Sequence, residues 1–140
     1  MSEYKFQYPI QVRYGDLDPQ WHVNNAHFLM FLEQSRFAYL VETGLFDGKS
    51  FLDLGLIVAD VHVAYLAAID MHQKVIIGVC INRIGTKSMT FEYEMKEEGT
   101  GVIFAKAETI MVAYDYKSHQ SMPVPQEWRK IISAYEEKEF

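Results

Sequence analysis

The chain has 140 residues, 49% hydrophobic and 23% charged, the size and balance of one globular domain rather than a disordered segment. Nineteen Asp and Glu against thirteen Lys and Arg leave a formal charge of -6, which disfavours nucleic-acid binding, since that needs a basic face. The single cysteine, Cys80, cannot close an internal disulfide and suits a reducing, cytoplasmic compartment; no apolar run reaches the roughly 20 residues of a membrane span, and the Met-Ser-Glu-Tyr-Lys start lacks the apolar stretch of a secretory signal.

Residues 1–140 read as one domain without repeat, linker or low-complexity stretch, built from five strands and two helices. Residues 4–12 alternate loosely and predict a strand, in which Pro9 marks an edge or a bulge. Residues 13–24 carry Gly15, Asp16, Asp18, Pro19 and Asn24 with little periodicity and predict a loop. Residues 25–43 predict a helix of roughly 28 Å, with Asn24 or Asn25 as N-cap and Gly44 as its stop. Residues 28–32 are apolar without a gap, and Phe37, Tyr39, Leu40 and Val41 follow. A helix this apolar around its girth should be buried on most faces, and its charges Glu33, Arg36 and Glu42 need water or partners.

The second half predicts strands. Residues 55–66 alternate, with Ile57, Ala59, Val61, Val63 and Tyr65 expected on one face; residues 74–84 are rich in Val and Ile. Residues 88–96 alternate cleanly, with Met89, Phe91, Tyr93 and Met95 inward. Gly85-Thr86-Lys87 makes the hairpin loop between these two strands, Gly99 to Gly101 the next turn, and residues 102–114 a long strand. Pro125 opens a terminal helix with Trp128, Ile131, Ile132 and Tyr135 at helical spacing. One strand, an apolar helix and four strands in antiparallel succession give an α+β domain whose sheet must curve around the helix. Ile76, Gly78, Cys80, Phe104, Ile110 and Val112 fall on outward positions, which predicts self-association through that face. Cys80 reads as inert filling.

The chemistry concentrates in residues 14–25, where two Asp, one His and two Asn approach the helix. A carboxylate before a helix N-terminus has two readings. It can cap the helix, a contribution of about 0.5–2 kcal/mol. It can also serve as nucleophile or general base beside free N–H groups that stabilise an oxyanion. Asp60 and His62 share one face of their strand, but two ligands do not make a metal site; His27, His72 and His119 show no helpful spacing. No metal is expected, and Asp60 and His62 are expected at a subunit interface or on the solvent side of the sheet.

Val12-Arg13-Tyr14-Gly15-Asp16-Leu17-Asp18-Pro19, His22-Val23-Asn24-Asn25, Phe31-Leu32-Glu33 and Arg36 resemble the signature of hotdog-fold acyl-CoA thioesterases of the 4-hydroxybenzoyl-CoA thioesterase type. The similarity continues through Tyr65-Leu66, residues 83–88 and Pro123-Val124-Pro125 and covers nearly the whole chain. It implies a hotdog fold, a curved antiparallel sheet of about five strands around a long central helix plus a C-terminal helix. It also implies dimers with a continuous sheet, pairing into tetramers, with active sites at the dimer interface. By the resemblance Asp18 is the catalytic carboxylate, the backbone N–H near Asn25 faces the thioester oxygen, and His22 assists or pins the loop. Asn25 either orients substrate through its side chain or only caps the helix. Asp16 is expected to hold the loop.

Tyr14, Trp21, Phe28, Tyr65 and Leu66 are the expected substrate-binding residues, with Tyr14 lining the pocket or bracing Asp18. Arg83, Gly85, Thr86, Lys87 and Ser88 are expected to meet the pantetheine arm and phosphates of CoA, through free N–H groups and local positive charge; a tight turn with a solvated Lys is the plainer reading of that loop. Trp21 stands where relatives commonly have Gly, and Phe28 where Tyr is frequent, which bears on substrate range. The expected reaction is hydrolysis of an acyl thioester of CoA or of acyl carrier protein, with no cofactor beyond CoA itself. A hotdog-fold hydratase or dehydratase, and a non-catalytic acyl-CoA-binding or assembly subunit, are the alternatives.

Overall fold

A computed structural model describes residues 4–50 and 52–140; the start of the N-terminal reading, residues 1–3, and Phe51 lie outside the described residues. The elements are β1 (Phe6–Ile10), a 3-10 turn (Tyr14–Asp16), α1 (Asn25–Glu42), β2 (Leu56–Tyr65), β3 (Val75–Ile84), β4 (Ser88–Glu97), β5 (Ile103–Asp115), β6 (Gln120–Ser121) and α2 (Gln126–Glu136). The five long strands form one antiparallel sheet in the order β1-β3-β4-β5-β2, and the two-residue β6 pairs with β5. The expected simple succession is therefore broken at one point. β2 pairs with β5 at one edge, and the chain crosses to enter β3 beside β1 at the other. Pro9 lies on β1, the opposite edge strand, where its missing N–H costs no ladder bond.

The sheet curves over α1 as expected for the hotdog arrangement. Met89, Phe91, Tyr93 and Met95 of β4 and Val75, Ile77, Val79 and Ile81 of β3 are all buried, facing Phe28, Phe31, Leu32, Tyr39 and Leu40 of α1. Each such apolar side chain contributes about 1.5–3 kcal/mol on burial. Asn24 caps α1, its Oδ1 accepting from Ala26 N–H at 2.8 Å. Gly44 ends it at φ +84°, the left-handed conformation glycine adopts without cost. Arg36 finds its partner inside the protein, donating to the Tyr93 hydroxyl (3.1 Å), which in turn bonds Thr109 Oγ1 (2.9 Å). α1 is less enclosed than its apolarity predicts: Ala26, Leu29, Met30 and Val41 stay exposed along one stripe.

Two strand readings need correction, and β-bulges explain both. In β2 the register slips at Ala59, between Val58 and Asp60. One extra residue reverses the alternation, so Ile57, opposite Val112, does not share the face of Val61, Val63 and Tyr65, which lie opposite the buried Thr109, Ala107 and Ala105. Where β5 pairs with Met95 and Lys96 of β4 the register slips, leaving Phe104 of β5 as the extra residue. Phe104 is fully buried rather than outward. Its carbonyl accepts from both Leu66 N–H (2.8 Å) and Ala67 N–H (3.1 Å), fixing the end of β2. The outer face of the sheet is correspondingly less apolar than expected. Tyr4 covers Gly78, and Glu92, Glu94, Lys106 and Glu108 alternate with the half-buried Ile76, Cys80, Ile110 and Val112. Asp60 and His62 lie exposed on that outer, solvent side, opposite Ile110 and Glu108.

α2 covers the part of the β3 edge that β1 leaves open beyond the Phe6–Val79 pair. Glu136 Oε2 accepts from the buried Tyr39 hydroxyl (2.6 Å) and from Ile81 N–H (3.3 Å), Lys138 Nζ donates to the Asn82 carbonyl (3.2 Å), and Arg129 donates to the Gly85 carbonyl. Burial and the Glu136 carboxylate push the Tyr39 hydroxyl pKa up, so it remains a donor at all working pH values.

Candidate active site

The loop before α1 is a small closed turn. Leu17 and Val23 form an isolated bridge, and Val23 N–H is tied to the Ile69 carbonyl (2.8 Å). Within it, Asp18 N–H donates to the His22 carbonyl (2.8 Å) and Trp21 N–H to the Asp18 carbonyl (3.0 Å). Asp18 Oδ1 accepts from Gln20 N–H (2.9 Å) and His22 N–H (3.3 Å). One carboxylate oxygen is thus spent on the loop's own geometry. The other, Oδ2, has no hydrogen-bond partner among the described residues.

The turn forces Trp21 to φ +64°. A bulky side chain there is strained by roughly 1–2 kcal/mol, which is the physical reason a glycine suits this position. Asp16 anchors the base of the loop. It is 1% exposed, its Oδ2 accepts from Arg13 N–H (2.8 Å), its Oδ1 meets His27 Nδ1 (2.8 Å), and its carbonyl accepts from Asn24 N–H (2.8 Å). Burial works to raise its pKa, but the Arg13 N–H, the His27 ring and the Arg13 guanidinium outweigh it and hold the carboxyl below the ordinary range.

His27 is not distinguishable by spacing, since its partner lies eleven residues earlier across a loop; its place on the first turn of α1 brings it back to Asp16. The depressed pKa has a stability consequence. Its contribution is complete above the unfolded aspartate value and lost as pH falls through the lower folded value. We expect Asp16→Asn to lower stability at pH 7 by about 1–3 kcal/mol, and the deficit to shrink as pH drops below about 4. Chemical denaturation at several pH values measures this; a deficit independent of pH would contradict it.

The first turn of α1 offers one uncommitted donor. Ala26 N–H goes to Asn24 Oδ1, and His27 and Phe28 N–H both go to the Asn24 carbonyl (2.9 and 3.2 Å). Asn25 N–H makes no hydrogen bond among the described residues. Because Asn24 does the capping, Asn25 is free of that task, and it lines a cleft of about 480 Å³. Asp18, His22, Val23, Phe28, Tyr65, Leu66, Ala67 and Ala68 complete the lining. Six expected site residues, Asp18, His22, Asn25, Phe28, Tyr65 and Leu66, therefore meet in one place. Phe28 and Tyr65 pack edge to face at 5.0 Å and form its apolar wall. Val23 comes with the loop motif, whereas Ala67 and Ala68 join without a sequence signal; small residues carry no pattern, and the Phe104 carbonyl at the bulge holds Ala67 by its N–H.

Tyr14 and Trp21 lie on the other side of Asp18. With Gly15, Leu17, Pro19 and Asp18 they line a second cleft of about 360 Å³, their rings edge to face at 6.1 Å. The expected CoA contacts do not join either cleft. The hairpin at residues 85–88 sits where Ser88 pairs with Val112, itself opposite Ile57. Tyr65, which lines the first cleft, pairs with Ala105 at the far end, eight residues or about 26 Å along β2. Part of the hairpin's donor capacity is also used, since Gly85 N–H bonds the Ser88 carbonyl (2.8 Å) and Lys87 Nζ reaches Ser121 Oγ (3.5 Å). Among the described residues no three His, Cys, Asp or Glu side chains converge as metal ligands, and no helix is long and apolar enough to cross a membrane.

A family model described as the thioesterase-like superfamily matches residues 12–132. The long-chain acyl-CoA thioesterase FadM of Escherichia coli (strain K12) is 26% identical over 126 residues, 90% of this chain and 96% of that protein. A thioesterase from Thermus thermophilus, solved in complex with coenzyme A and Zn, superposes with a TM-score of 0.86 at 29% identity over 99% of both chains. A predicted thioesterase from Bacillus stearothermophilus has the same fold, with a TM-score of 0.84 at 23% identity over 92% of this chain and 94% of the other.

Proposed function

The chain belongs to the thioesterase-like superfamily, and on that premise we propose that it hydrolyses an acyl-CoA thioester to a carboxylic acid and CoA, with Asp18 as the reacting carboxylate. The observation that carries this reading is that two residues lining one cleft each carry an uncommitted group, Oδ2 of Asp18 and the N–H of Asn25. A thioester carbonyl seated between them meets an acceptor-only oxygen on its carbon and a fixed donor on its oxygen. The α1 N-terminus adds its positive dipole end to that donor. Asp18 Oδ2 either attacks the carbonyl carbon or takes the proton of an attacking water; in both routes the C–S bond breaks and the thiolate leaves with CoA. His22, on the cleft rim, assists by hydrogen bonding to the water. CoA is part of the substrate and no further cofactor enters. The relatives support the substrate class: one is named a long-chain acyl-CoA thioesterase and one is solved with coenzyme A bound.

The working unit we infer is a dimer. β2 is an open sheet edge carrying the exposed Ile57, Val58, Val61 and Tyr65, a combination monomers avoid. Antiparallel pairing of two β2 edges about a two-fold axis sets one chain's Tyr65 end against the partner's Leu56 end. The partner's 85–88 hairpin then arrives beside Asp18, bringing Arg83, Gly85, Thr86, Lys87 and Ser88 to the CoA phosphates. Back-to-back pairing of such dimers gives the tetramer. The cytoplasm, suggested by cysteine usage, is the compartment of this reading. A panel of short, long and aromatic acyl-CoAs, and an acyl carrier protein thioester, assayed with a thiol-reactive reporter, tests it. Free thiol should appear for at least one acyl-CoA; no release across the panel leaves a binding module in its place.

A further inference from the structure

Asp18 and Asn25 line one cleft but belong to different pieces of the chain. Asp18 lies on the loop, and its hydrogen bonds all end inside that loop, on Gln20, Trp21 and His22. Asn25 opens α1, and the cap before it, Asn24, spends its side chain on the helix itself. Among the described residues no hydrogen bond joins residue 18 to residue 25. Their spacing is set by whatever fixes the loop against the helix.

Two contacts do so. Asn24 N–H donates to the Asp16 carbonyl (2.8 Å), and His27 Nδ1 lies 2.8 Å from Asp16 Oδ1. Asp16 is ionised at neutral pH, and an ionised carboxylate only accepts, so Nδ1 carries the hydrogen and donates it. A single bond lets the loop pivot on the helix; the second removes the pivot. Among the described residues the His27 bond is the one side-chain hydrogen bond between α1 and residues 13–23. It ties residue 16 to residue 27, so that the two cleft residues each lie two positions inside an end. The Asp16 end is itself held fast, being buried and accepting from Arg13 N–H through Oδ2 (2.8 Å).

Closure of the loop does not depend on His27. The Leu17–Val23 bridge, the Asp18 N–H bond to the His22 carbonyl and the Val23 N–H bond to the Ile69 carbonyl all run through backbone. The His27 side chain is 27% exposed and lies outside both the apolar core and the lining of the cleft. What it supplies is orientation, and a reacting group displaced by about 1 Å can lose on the order of 10²-fold in rate. Resting on the thioesterase reading above, we propose that His27 is a positioning residue for the hydrolysis: its bond to Asp16 holds the Asp18 loop against the first turn of α1 and sets the spacing between the carboxylate and the Asn25 N–H.

Two substitutions of similar size separate the donor from the ring. His27→Asn keeps an N–H donor at the reach of Nδ1, and His27→Leu fills the same space without one. The assay is run well below the thermal midpoint of each protein, on an acyl-CoA that the parent hydrolyses. His27→Leu should lower kcat by about 10- to 100-fold with KM little changed, and His27→Asn should recover most of the loss. Amide exchange gives a readout without turnover. The Asn24 N–H, bonded to the Asp16 carbonyl, should exchange at least about tenfold faster in His27→Leu and near the parent rate in His27→Asn. Unchanged exchange, an unchanged kcat, a rise in KM in place of the fall in kcat, or a loss that His27→Asn does not recover overturns the proposal; hydrolysis by the parent keeps the thioesterase reading in each of these cases. Faster exchange in a protein whose parent hydrolyses no thioester retains the clamp and removes that reading. If His27→Leu does not fold, His27→Ala, with the higher helix propensity, takes its place, and failure of both to fold makes His27 a support of the fold and overturns the positioning role.

Discussion

Replacing Asp18 by Asn should lower thioester turnover by about 10²–10⁴-fold while leaving the fold and CoA binding in place. The two oxygens of the carboxylate explain why the effects separate. Oδ1 holds the turn by accepting from Gln20 N–H and His22 N–H, and the asparagine carbonyl accepts the same two bonds. Oδ2, the atom without a partner, becomes an NH₂ that can neither attack a carbonyl nor take a proton from water. The loop therefore keeps its shape, and the first turn of α1 keeps its Asn24 cap. Steady-state assay with a thiol reporter, together with the thermal midpoint and a CoA titration, measures all three. Turnover within a few-fold of the parent would remove Asp18 from the reaction. Asp18→Ala is a poorer probe, because it also frees the two turn donors and mixes a structural cost into the rate.

The contrast between what can and cannot be read from the sequence follows the range of the forces involved. β4 is legible residue by residue because its alternation is uninterrupted and its inward side chains are all large. α1 is legible at both ends because Asn24 and Gly44 are local signals that act within one turn. Phe104 and Ile57 escape the pattern because a bulge reverses parity, and neither strand carries a glycine or proline to announce it. Asp16 reads as a loop anchor, but its partner His27 belongs to a different element and no periodicity connects them. The gathering of Asp18, His22, Asn25, Phe28, Tyr65 and Leu66 into one cleft is anticipated through the family resemblance. The residues alone leave capping and catalysis both open for the carboxylate. What composition does not convey is topology: nothing in residues 55–66 says that the strand sits at an edge. That placement puts the 85–88 hairpin at the opposite end of the sheet from Asp18.

The edge position of β2 leads to the second large expected effect, that Val61→Lys splits the β2-paired dimer without unfolding its chains and removes most of its activity. Val61 is 43% exposed in the single chain, so a lysine there can send its ammonium to water and rest its stem on the strand. The chain by itself has no reason to unfold. In a pair of antiparallel β2 edges the same ammonium would be trapped between two apolar surfaces, with a second copy contributed by the two-fold axis. Charges on an edge strand are an established way to block such pairing.

In a shared site the loss reaches catalysis because Tyr65, which lines the Asp18 cleft, lies about 26 Å along β2 from Ile57, the residue level with the 85–88 hairpin of the same chain. Only a partner can bring a hairpin to the carboxylate. Light scattering should report a halved mass with an unchanged circular dichroism spectrum, and the thiol assay a fall of at least about tenfold in kcat/KM, the loss of a contact worth about 1.4 kcal/mol or more. Complementation probes the same geometry from the other direction. Asp18→Asn chains mixed with Lys87→Ala chains should regain part of the activity that each lacks alone, because one of the two sites in the mixed dimer then has both an intact carboxylate and an intact hairpin. A Val61→Lys protein of halved mass with full kcat/KM would show that each chain carries a complete site, and the β2 pairing would then serve only to cover the edge.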